Sequence, residues 1–378
     1  MSGGVATLSI DLGAIVANWR LLSERAAPAE CAAVVKADAY GLGLAEVARA
    51  LAAAGCRTFF VATVDEAVAL RGLLGVAPEA RSPHDEPSIV VLHGVSTRAE
   101  AAAVSRLDLL PVLNSLAQVA LWNEFAKAGG APLPCVLHID TGMNRLGLSA
   151  VEVQKAGLDR RLVEGCDVRL VMSHLACAEQ SANKMNRRQL VTFLQRCAAL
   201  PSAPQSLANS AGIFLGDGYR FELVRPGIAL YGANPMPVSG TSGGANPMAE
   251  VVHLQGRILQ VRRVDANETV GYGAAFSVTV PTRIATVAAG YADGYLRSLS
   301  GRGVAMVGAT RVPVVGRVSM DLITLDVSAV PETHAQAGAP VSLIGGGVSL
   351  DEVAALAGTI PYEILTSLGA RYRREYRG

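Results

Sequence analysis

The strongest constraint in this sequence is an alternation of short apolar runs and amphipathic segments between about residues 12 and 231. The runs are almost continuously apolar, which is typical of strands buried on both faces of a parallel sheet. Strand–helix alternation repeated about eight times predicts an α/β fold, a (β/α)8 TIM-type barrel over residues 10–232, with an open doubly wound sheet as the alternative. The predicted strands are 31–35, 58–62, 89–92, 109–113, 135–139, 168–172, 205–208 and 221–224.

The composition changes after Gly232, and a chain of 378 residues favours two domains. Residues 233–250 are rich in Gly, Pro, Ser and Asn without periodicity, which predicts a linker. Residues 251–378 carry short Val-rich runs separated by Gly, Asp or Pro, which predicts a mostly β C-terminal domain, either a barrel or a sandwich. Residues 6–10 have strand character, and residues 1–9 are expected to pair with this second domain.

Charge and hydropathy exclude several classes of partner. The chain has 33 basic and 32 acidic residues, so its net charge of +1 gives no electrostatic reason to expect nucleic acid or an anionic membrane as a partner. The first residues lack the pattern of a signal peptide, and no run of apolar residues approaches the roughly 18 of a membrane span. The six cysteines lack metal-ligand spacing and predict no metal site. We expect a cytoplasmic protein.

Polar and charged residues follow several of the predicted barrel strands. Because the active sites of such barrels lie at the carboxyl ends of the strands, these residues are expected on one catalytic face. Lys36 opens the hexapeptide Lys36-Ala-Asp-Ala-Tyr-Gly directly after the first strand. The residues in such positions are Lys36, Asp140, His174, Asn209, Ser210 and Arg225.

Three of these neighbourhoods suggest ligand contacts. Arg145 follows a glycine turn, where a guanidinium is suited to clamp a carboxylate, although a surface ion pair is the alternative. Asn209 and Ser210 precede a helix-like run and could present hydroxyl and backbone N–H groups to a phosphate, or act only as a helix N-cap. Gly227 would allow a ligand to approach the backbone closely.

In the second domain, two tyrosines stand between small residues, Tyr272 in Val270-Gly-Tyr-Gly and Tyr291 in Ala289-Gly-Tyr-Ala-Asp-Gly. Glycines beside a tyrosine indicate a loop that projects the phenol. Met320 lies in a third loop, Val318-Ser-Met-Asp, whose backbone N–H groups follow a predicted strand. Each motif alone is weak, and the order of all the motifs along the chain is the stronger signal.

That ordered series resembles the bacterial alanine racemases, enzymes of the fold-type III class that depend on pyridoxal 5'-phosphate. The matching motifs extend from Val34 to Tyr362-Glu, nearly the full length. The resemblance implies interconversion of L-alanine and D-alanine, with D-alanine supplied to peptidoglycan. It also implies a homodimer in which the C-terminal domain completes the site of a second subunit.

The resemblance further implies a role for each matching residue. Lys36 corresponds to the lysine that forms the cofactor Schiff base and acts on one face of the substrate, and Tyr272 of the partner subunit to the base on the opposite face. Arg145 and Met320 correspond to contacts of the substrate carboxylate, and Tyr291 to a residue of the substrate entrance. The implied cofactor-binding residues are Lys36, Tyr40, His174, Asn209, Ser210, Arg225, Gly227 and Ile228.

The match is imperfect at three positions. His138 stands where some relatives carry a carbamylated lysine that orients the clamping arginine. Ser319 stands where several have a cysteine. Ala370 replaces a cofactor-contacting tyrosine, and neither Tyr372 nor Tyr376 is assigned that role.

Three rival functions remain at this point: a racemase of broader substrate range, a fold-type III decarboxylase, and a non-catalytic, single-barrel protein that binds pyridoxal phosphate. The last would lack the segment after Gly232, and the pairing of Lys36 with Tyr272 argues against the decarboxylase.

Overall fold

The computed structural model describes residues 6–75, 86–236 and 245–378. The predicted linker 233–250 and the predicted N-terminal strand segment 1–9 therefore lie partly outside the described residues. Within the described ranges, no helix is both long and apolar enough to cross a bilayer.

The first part of the chain alternates strands and helices as the apolar pattern predicts. In chain order the elements are β1 (Thr7–Asp11), α1 (Leu12–Ala26), β2 (Glu30–Cys31), β3 (Ala33–Val34), α2 (Lys36–Gly41), α3 (Leu44–Ala53), β4 (Thr58–Val61), α4 (Val64–Leu74), β5 (Ser88–Val91), α5 (Arg98–Arg106), β6 (Leu110–Leu113), α6 (Leu116–Gly129), β7 (Leu133–His138), α7 (Ala150–Leu158), β8 (Cys166–Met172), α8 (Lys184–Cys197), β9 (Gln205–Ser206) and β10 (Leu223–Val224).

These strands close into a barrel. Strands β3 to β9 form a parallel sheet in chain order, and β10 pairs in parallel with β2, which continues into β3. The N–H of Arg225 donates to the carbonyl of Ala208 at 2.9 Å and joins the last two strands. Closure confirms the predicted (β/α)8 barrel and excludes the open sheet. The last predicted strand is shorter than expected, because Phe221 has a φ of 53° and β10 begins only at Leu223.

Several barrel helices begin with the same side-chain arrangement, a capping box. In α4 the hydroxyl of Thr63 accepts from the N–H of Glu66, while the Glu66 carboxylate accepts from the N–H of Thr63. The pair Thr97 and Glu100 repeats this in α5. Such boxes satisfy backbone donors that have no partner inside the helix.

The remainder of the chain is mostly β. Its elements are β11 (Val252–Val264), β12 (Thr269–Val270), β13 (Phe276–Ser277), β14 (Thr282–Ala288), β15 (Val304–Val307), β16 (Thr310–Val315), β17 (Leu322–Asp326), β18 (Pro340–Ile344), α9 (Leu350–Ala357), α10 (Pro361–Ser367) and β19 (Arg373–Arg377). The sheet runs β14-β17-β16-β15-β18-β11 and closes through a β14–β11 pairing, so this part is a barrel and not a sandwich. Strand β1 joins its edge, antiparallel to β11 and parallel to β19.

The segment after β3 has an unusual backbone. Its four central residues all lie in the left-handed region, with φ between 53° and 57°: Ala37, Asp38, Ala39 and Tyr40. The sequence contains no glycine there, and each L-residue in this conformation costs roughly 1–2 kcal/mol. We call residues 36–41 the Lys36 turn.

Contacts from the C-terminal end of the chain hold the exit of the Lys36 turn. Arg374 Nη1 donates to the carbonyl of Gly41 at 2.7 Å, and Tyr376 Oη donates to the carbonyl of Leu42 at 3.0 Å. The Asp38 carboxylate accepts from the N–H of Leu44 at 2.7 Å. The second domain thus fixes the backbone that follows Lys36.

Because Ala37 is in the left-handed conformation and its side chain is exposed, we expect glycine there to be tolerated better than a larger side chain. Ala37→Gly should leave the free energy of unfolding unchanged or raise it by up to about 1 kcal/mol, because glycine carries no steric penalty there. Ala37→Val should lower it by more than 1 kcal/mol, since a β-branched residue is rarely found at positive φ. Urea unfolding of the two variants measures the difference. A valine variant as stable as the glycine variant would contradict the strained backbone.

Candidate active site

A cavity of about 610 Å³ opens at the carboxyl ends of the barrel strands. Most of the residues predicted from the sequence line it, although they are separated by up to 192 positions along the chain. These are Lys36, Tyr40, Arg145, His174, Asn209, Ser210, Arg225, Gly227 and Ile228. The barrel therefore brings together one lysine, two arginines and a group of small polar donors.

Lys36 lies at the mouth of β3 and is partly buried. Burial lowers the pKa of its ammonium group, the positive charge of Arg145 lowers it further, and Glu66 acts in the opposite direction. At a given pH, a larger fraction of such lysines is neutral than of exposed lysines. The neutral amine is the form that acts as a nucleophile or base.

Arg225 is fully buried, with 4% of its surface exposed. Its guanidinium donates to the carbonyl of Ser173 and to the hydroxyl of Ser206, and burial lowers its pKa to about 9. No carboxylate within the described ranges forms an ion pair with it. A buried cation that is held only by neutral groups favours a ligand with an acceptor atom.

Two histidines that line the cavity stay neutral in this environment. Burial and the nearby arginines lower the pKa of His174 to about 3 and that of His138 to about 4. His138 Nδ1 lies 2.7 Å from Asn114 Oδ1. Because Asn114 Nδ2 donates to the carbonyls of Leu92 and Val112, its oxygen is the acceptor and His138 donates from Nδ1. The other ring nitrogen of His138 is then an acceptor.

Ser210 and Gly227 line the cavity and are joined by a hydrogen bond. Ser210 Oγ accepts from the N–H of Gly227 at 2.9 Å and from that of Ala229 at 3.3 Å. A Cβ at Gly227 would lie 2.2 Å from Tyr40 Oη, so only glycine leaves room for the phenol. Asn209 differs, because its side-chain oxygen caps the following turn by accepting from the N–H of Gly212 at 2.9 Å.

Three of the residues to which the resemblance gives a role do not line this cavity within one chain. Tyr272, Tyr291 and Met320 are 72%, 41% and 53% exposed and lie on loops of the C-terminal domain. Two of these loops are joined, since the N–H of Tyr291 donates to the carbonyl of Ser319 and that of Ala292 to the carbonyl of Met320. These three exposed side chains are therefore not part of the lining of the cavity that contains Lys36.

The structure also brings to the cavity a residue to which the sequence assigned no role. Tyr362 of α10 lines the cavity, and its ring centroid lies 5.9 Å from that of Tyr40. Ala370 is exposed, while Tyr372 is buried with an unpartnered hydroxyl. Tyr362 belongs to the Tyr362-Glu motif, but the sequence assigns it no role. A tyrosine near the end of the chain gives no sign that its helix folds back over the barrel.

Comparison with known proteins shows which family has this arrangement of domains. The sequence model of the alanine racemase N-terminal domain matches residues 10–235, and that of the alanine racemase C-terminal domain matches residues 251–376. The chain belongs to the alanine racemase family. It is an enzyme, an isomerase that acts on amino acids.

Relatives with this family name cover nearly the whole chain. The alanine racemase of Methylobacterium nodulans is 49% identical over 98% of this chain and 96% of its own length. A protein named catabolic alanine racemase, from Agrobacterium fabrum, is 47% identical over 99% of this chain and 92% of its own length. The second domain is thus part of the shared architecture, which excludes the single-barrel alternative.

Solved structures agree with the fold. Alanine racemase from Bartonella henselae, described with covalently bound pyridoxal phosphate, superposes with a TM-score of 0.91 at 41% identity and covers 99% of this chain and 100% of its own. The biosynthetic alanine racemase of Pseudomonas aeruginosa gives a TM-score of 0.89 at 35% identity over the full length of both chains. The family and fold predicted from the sequence are confirmed.

The neutral histidines predict an acid-labile barrel. In the unfolded chain a histidine takes up a proton near pH 6.5, but His138 folded does so only near pH 4. The unfolded state therefore binds more protons between these values, and stability falls as the pH decreases through that window, by up to about 1.4 kcal/mol per pH unit for each such histidine. His138→Gln, which still donates to Asn114, should reduce the slope between pH 6.5 and 5. Urea unfolding at several pH values measures it, and an unchanged slope would contradict the neutral state of His138.

Proposed function

We propose that this protein interconverts L-alanine and D-alanine with pyridoxal 5'-phosphate, and that Lys36 and Tyr272 of the partner subunit act on opposite faces of the substrate. The observation that carries the proposal is the content of one cavity. It combines a lysine of lowered pKa, a buried arginine that forms no ion pair with a carboxylate of the described residues, and a set of hydroxyl and N–H groups around Ser210.

These residues fit the cofactor group by group. Ser210, Gly227, Ile228 and Tyr40 would hold the phosphate, with Asn209 supporting the turn beside it. Lys36 would hold the cofactor covalently. Arg225 would face the ring nitrogen, and since a guanidinium only donates, that nitrogen would stay unprotonated. When bound, the cofactor stabilises the negative charge left on the α-carbon after proton removal.

Inversion of the α-carbon needs a proton acceptor on one face and a proton donor on the other. Lysine and tyrosine both have ordinary pKa values near 10, so each needs help to act near neutral pH. For Lys36, burial and the positive charge of Arg145 supply that help. In the proposed assembly His174, which is neutral, would accept a hydrogen bond from Tyr272 of the partner subunit.

The substrate carboxylate would be held by Arg145 and by the backbone N–H of Met320 from the partner subunit. A guanidinium matches a carboxylate in shape and charge. The unprotonated nitrogen of His138, in the same cavity, is the kind of neutral acceptor that could orient Arg145 without cancelling its charge. This arrangement would replace the carbamylated lysine of other relatives.

The homodimer is part of the proposal, because Tyr272, Tyr291 and Met320 are exposed and do not line the cavity of their own chain. In the proposed dimer these loops would complete the cavity of the second copy, with Tyr291 at the substrate entrance. For the cellular role we propose supply of D-alanine to peptidoglycan in the cytoplasm. Breakdown of D-alanine is the second candidate, favoured by the name of the Agrobacterium fabrum relative.

The direct test is racemisation of single-enantiomer amino acids by the purified protein, with and without added pyridoxal 5'-phosphate. We expect both alanine enantiomers to be converted and the activity of cofactor-free protein to return on addition of the cofactor. Serine and lysine extend the panel, because the substrate-lining loops decide its breadth. If the protein were inactive on alanine but converted another amino acid, alanine would not be the substrate and that amino acid would take its place.

If Tyr272 and Lys36 act on opposite faces of the substrate, substitution of Tyr272 should slow α-proton exchange much more for L-alanine than for D-alanine. Tyr272→Phe removes the phenolic oxygen that would accept the α-proton of L-alanine, so exchange of that proton with deuterated solvent should fall by at least 100-fold, the scale of a lost general acid–base group. Exchange from D-alanine, the task of Lys36, should fall much less. Proton NMR in D2O measures both, with Tyr219→Phe, outside the cavity, as the control. Equal losses from the two enantiomers would contradict the assignment.

A further inference from the structure

The carboxylate of Glu66 joins two strand ends of the barrel. One oxygen closes the capping box of α4 and accepts from the N–H groups of Ala62 at 2.7 Å and Thr63 at 3.3 Å. The other oxygen accepts from the N–H of Ala37 at 2.7 Å, a residue 29 positions earlier in the chain. Ala37 is the first left-handed residue of the Lys36 turn.

The chain contains a matched counterpart. Glu100 closes the capping box of α5 in the same way, with one oxygen 2.6 Å from the N–H of Ser96 and 3.1 Å from that of Thr97. Glu100 does not line the cavity, and the bonds described for it are local to its own helix start. The two glutamates therefore share their helix-capping role and differ in the bond to Ala37.

The hydrogen bond to Ala37 is important because it lies at the start of the strained Lys36 turn. The Lys36 turn places four L-residues in a costly conformation, and such strain persists only when surrounding contacts fix it. Arg374 and Tyr376 hold the far end of the turn, whereas Glu66 holds its beginning, at the peptide group next to Lys36. A hydrogen bond to a carboxylate is roughly twice as strong as one between neutral groups.

We propose that Glu66 is a positioning residue for Lys36, which fixes the peptide bond between Lys36 and Ala37 so that the lysine side chain enters the cavity in one orientation. The inference rests on the proposed role of Lys36 as the residue that holds the cofactor. Glu66 touches neither substrate nor cofactor, and it acts through the backbone of the Lys36 turn.

Two substitutions separate the geometry of Glu66 from its charge. Glu66→Gln keeps the length, but an amide has one acceptor oxygen and a donor group, so it cannot accept from both Ala37 and the capping box. Glu66→Asp keeps the charge but is one methylene too short to reach both. Glu100→Gln disturbs an equivalent capping box and is the control.

Hydrogen exchange, followed by mass spectrometry, tests the backbone directly and needs no activity. In cofactor-free protein, residues 37–43 should exchange at least tenfold faster in both Glu66 variants than in wild type, and at the wild-type rate in Glu100→Gln. The same variants should capture pyridoxal 5'-phosphate at least tenfold more slowly than Glu100→Gln, with a loss in kcat larger than the change in KM.

The pH dependence of capture gives a third readout. Because the negative charge of Glu66 opposes the lowering of the pKa of Lys36, Glu66→Gln should move the pH of half-maximal capture downward, while Glu66→Asp should move it little. The positioning role is overturned if the Glu66 variants match Glu100→Gln in exchange and capture. Failure of the proposed function is a separate result, since wild type would then neither capture the cofactor nor racemise alanine.

Discussion

Four consecutive L-residues in the left-handed region follow the strand that carries Lys36, and three side chains from distant parts of the chain hold them there. This conformation costs roughly 1–2 kcal/mol per residue. A domain is typically stable by only about 5–15 kcal/mol, so four such residues are a large destabilising contribution. The contacts of Glu66, Arg374 and Tyr376 must offset that cost. Because two of them come from β19, the placement of Lys36 requires the C-terminal end of the chain as well as the barrel.

A second constraint is the sign of the charges around the cavity. Lys36, Arg145 and Arg225 line one space with one described carboxylate, Glu179, and the two histidines beside them are driven to the neutral state by burial and by these cations. A cavity with this imbalance favours ligands that carry anionic groups, such as a phosphate and a carboxylate. Burial lowers the pKa of Lys36, and the positive charge of Arg145 lowers it further. Arg145 therefore both favours the proposed anionic ligands and helps to prepare the lysine to act on them.

The sequence predicted the architecture because its signals are local. A continuous apolar run marks a buried parallel strand wherever it falls in the fold, and the residues after each run, such as Lys36 and Arg225, necessarily meet at one end of the barrel. Glu66 and Asn114 were missed for the opposite reason. Each looks like an ordinary helix-start or strand-end residue, and its role depends on a partner 29 or 24 positions away, Ala37 or His138. The left-handed turn could not be predicted either, since three of its four residues, Ala37, Ala39 and Tyr40, are of types that rarely adopt positive φ.

The position of Tyr272 has a consequence for how the proposed chemistry would be controlled. The residue is 72% exposed on a loop of one domain, whereas Lys36 lies in the cavity of the other. If the second acid–base group comes from another copy of the chain, the complete site exists only in the assembled molecule, and its concentration follows the association equilibrium of the subunits. Cofactor binding and catalysis then have different requirements, because the groups proposed to hold the cofactor all lie within one chain, while inversion needs two. Weakening the contact between subunits would therefore remove racemisation before it removes the cofactor.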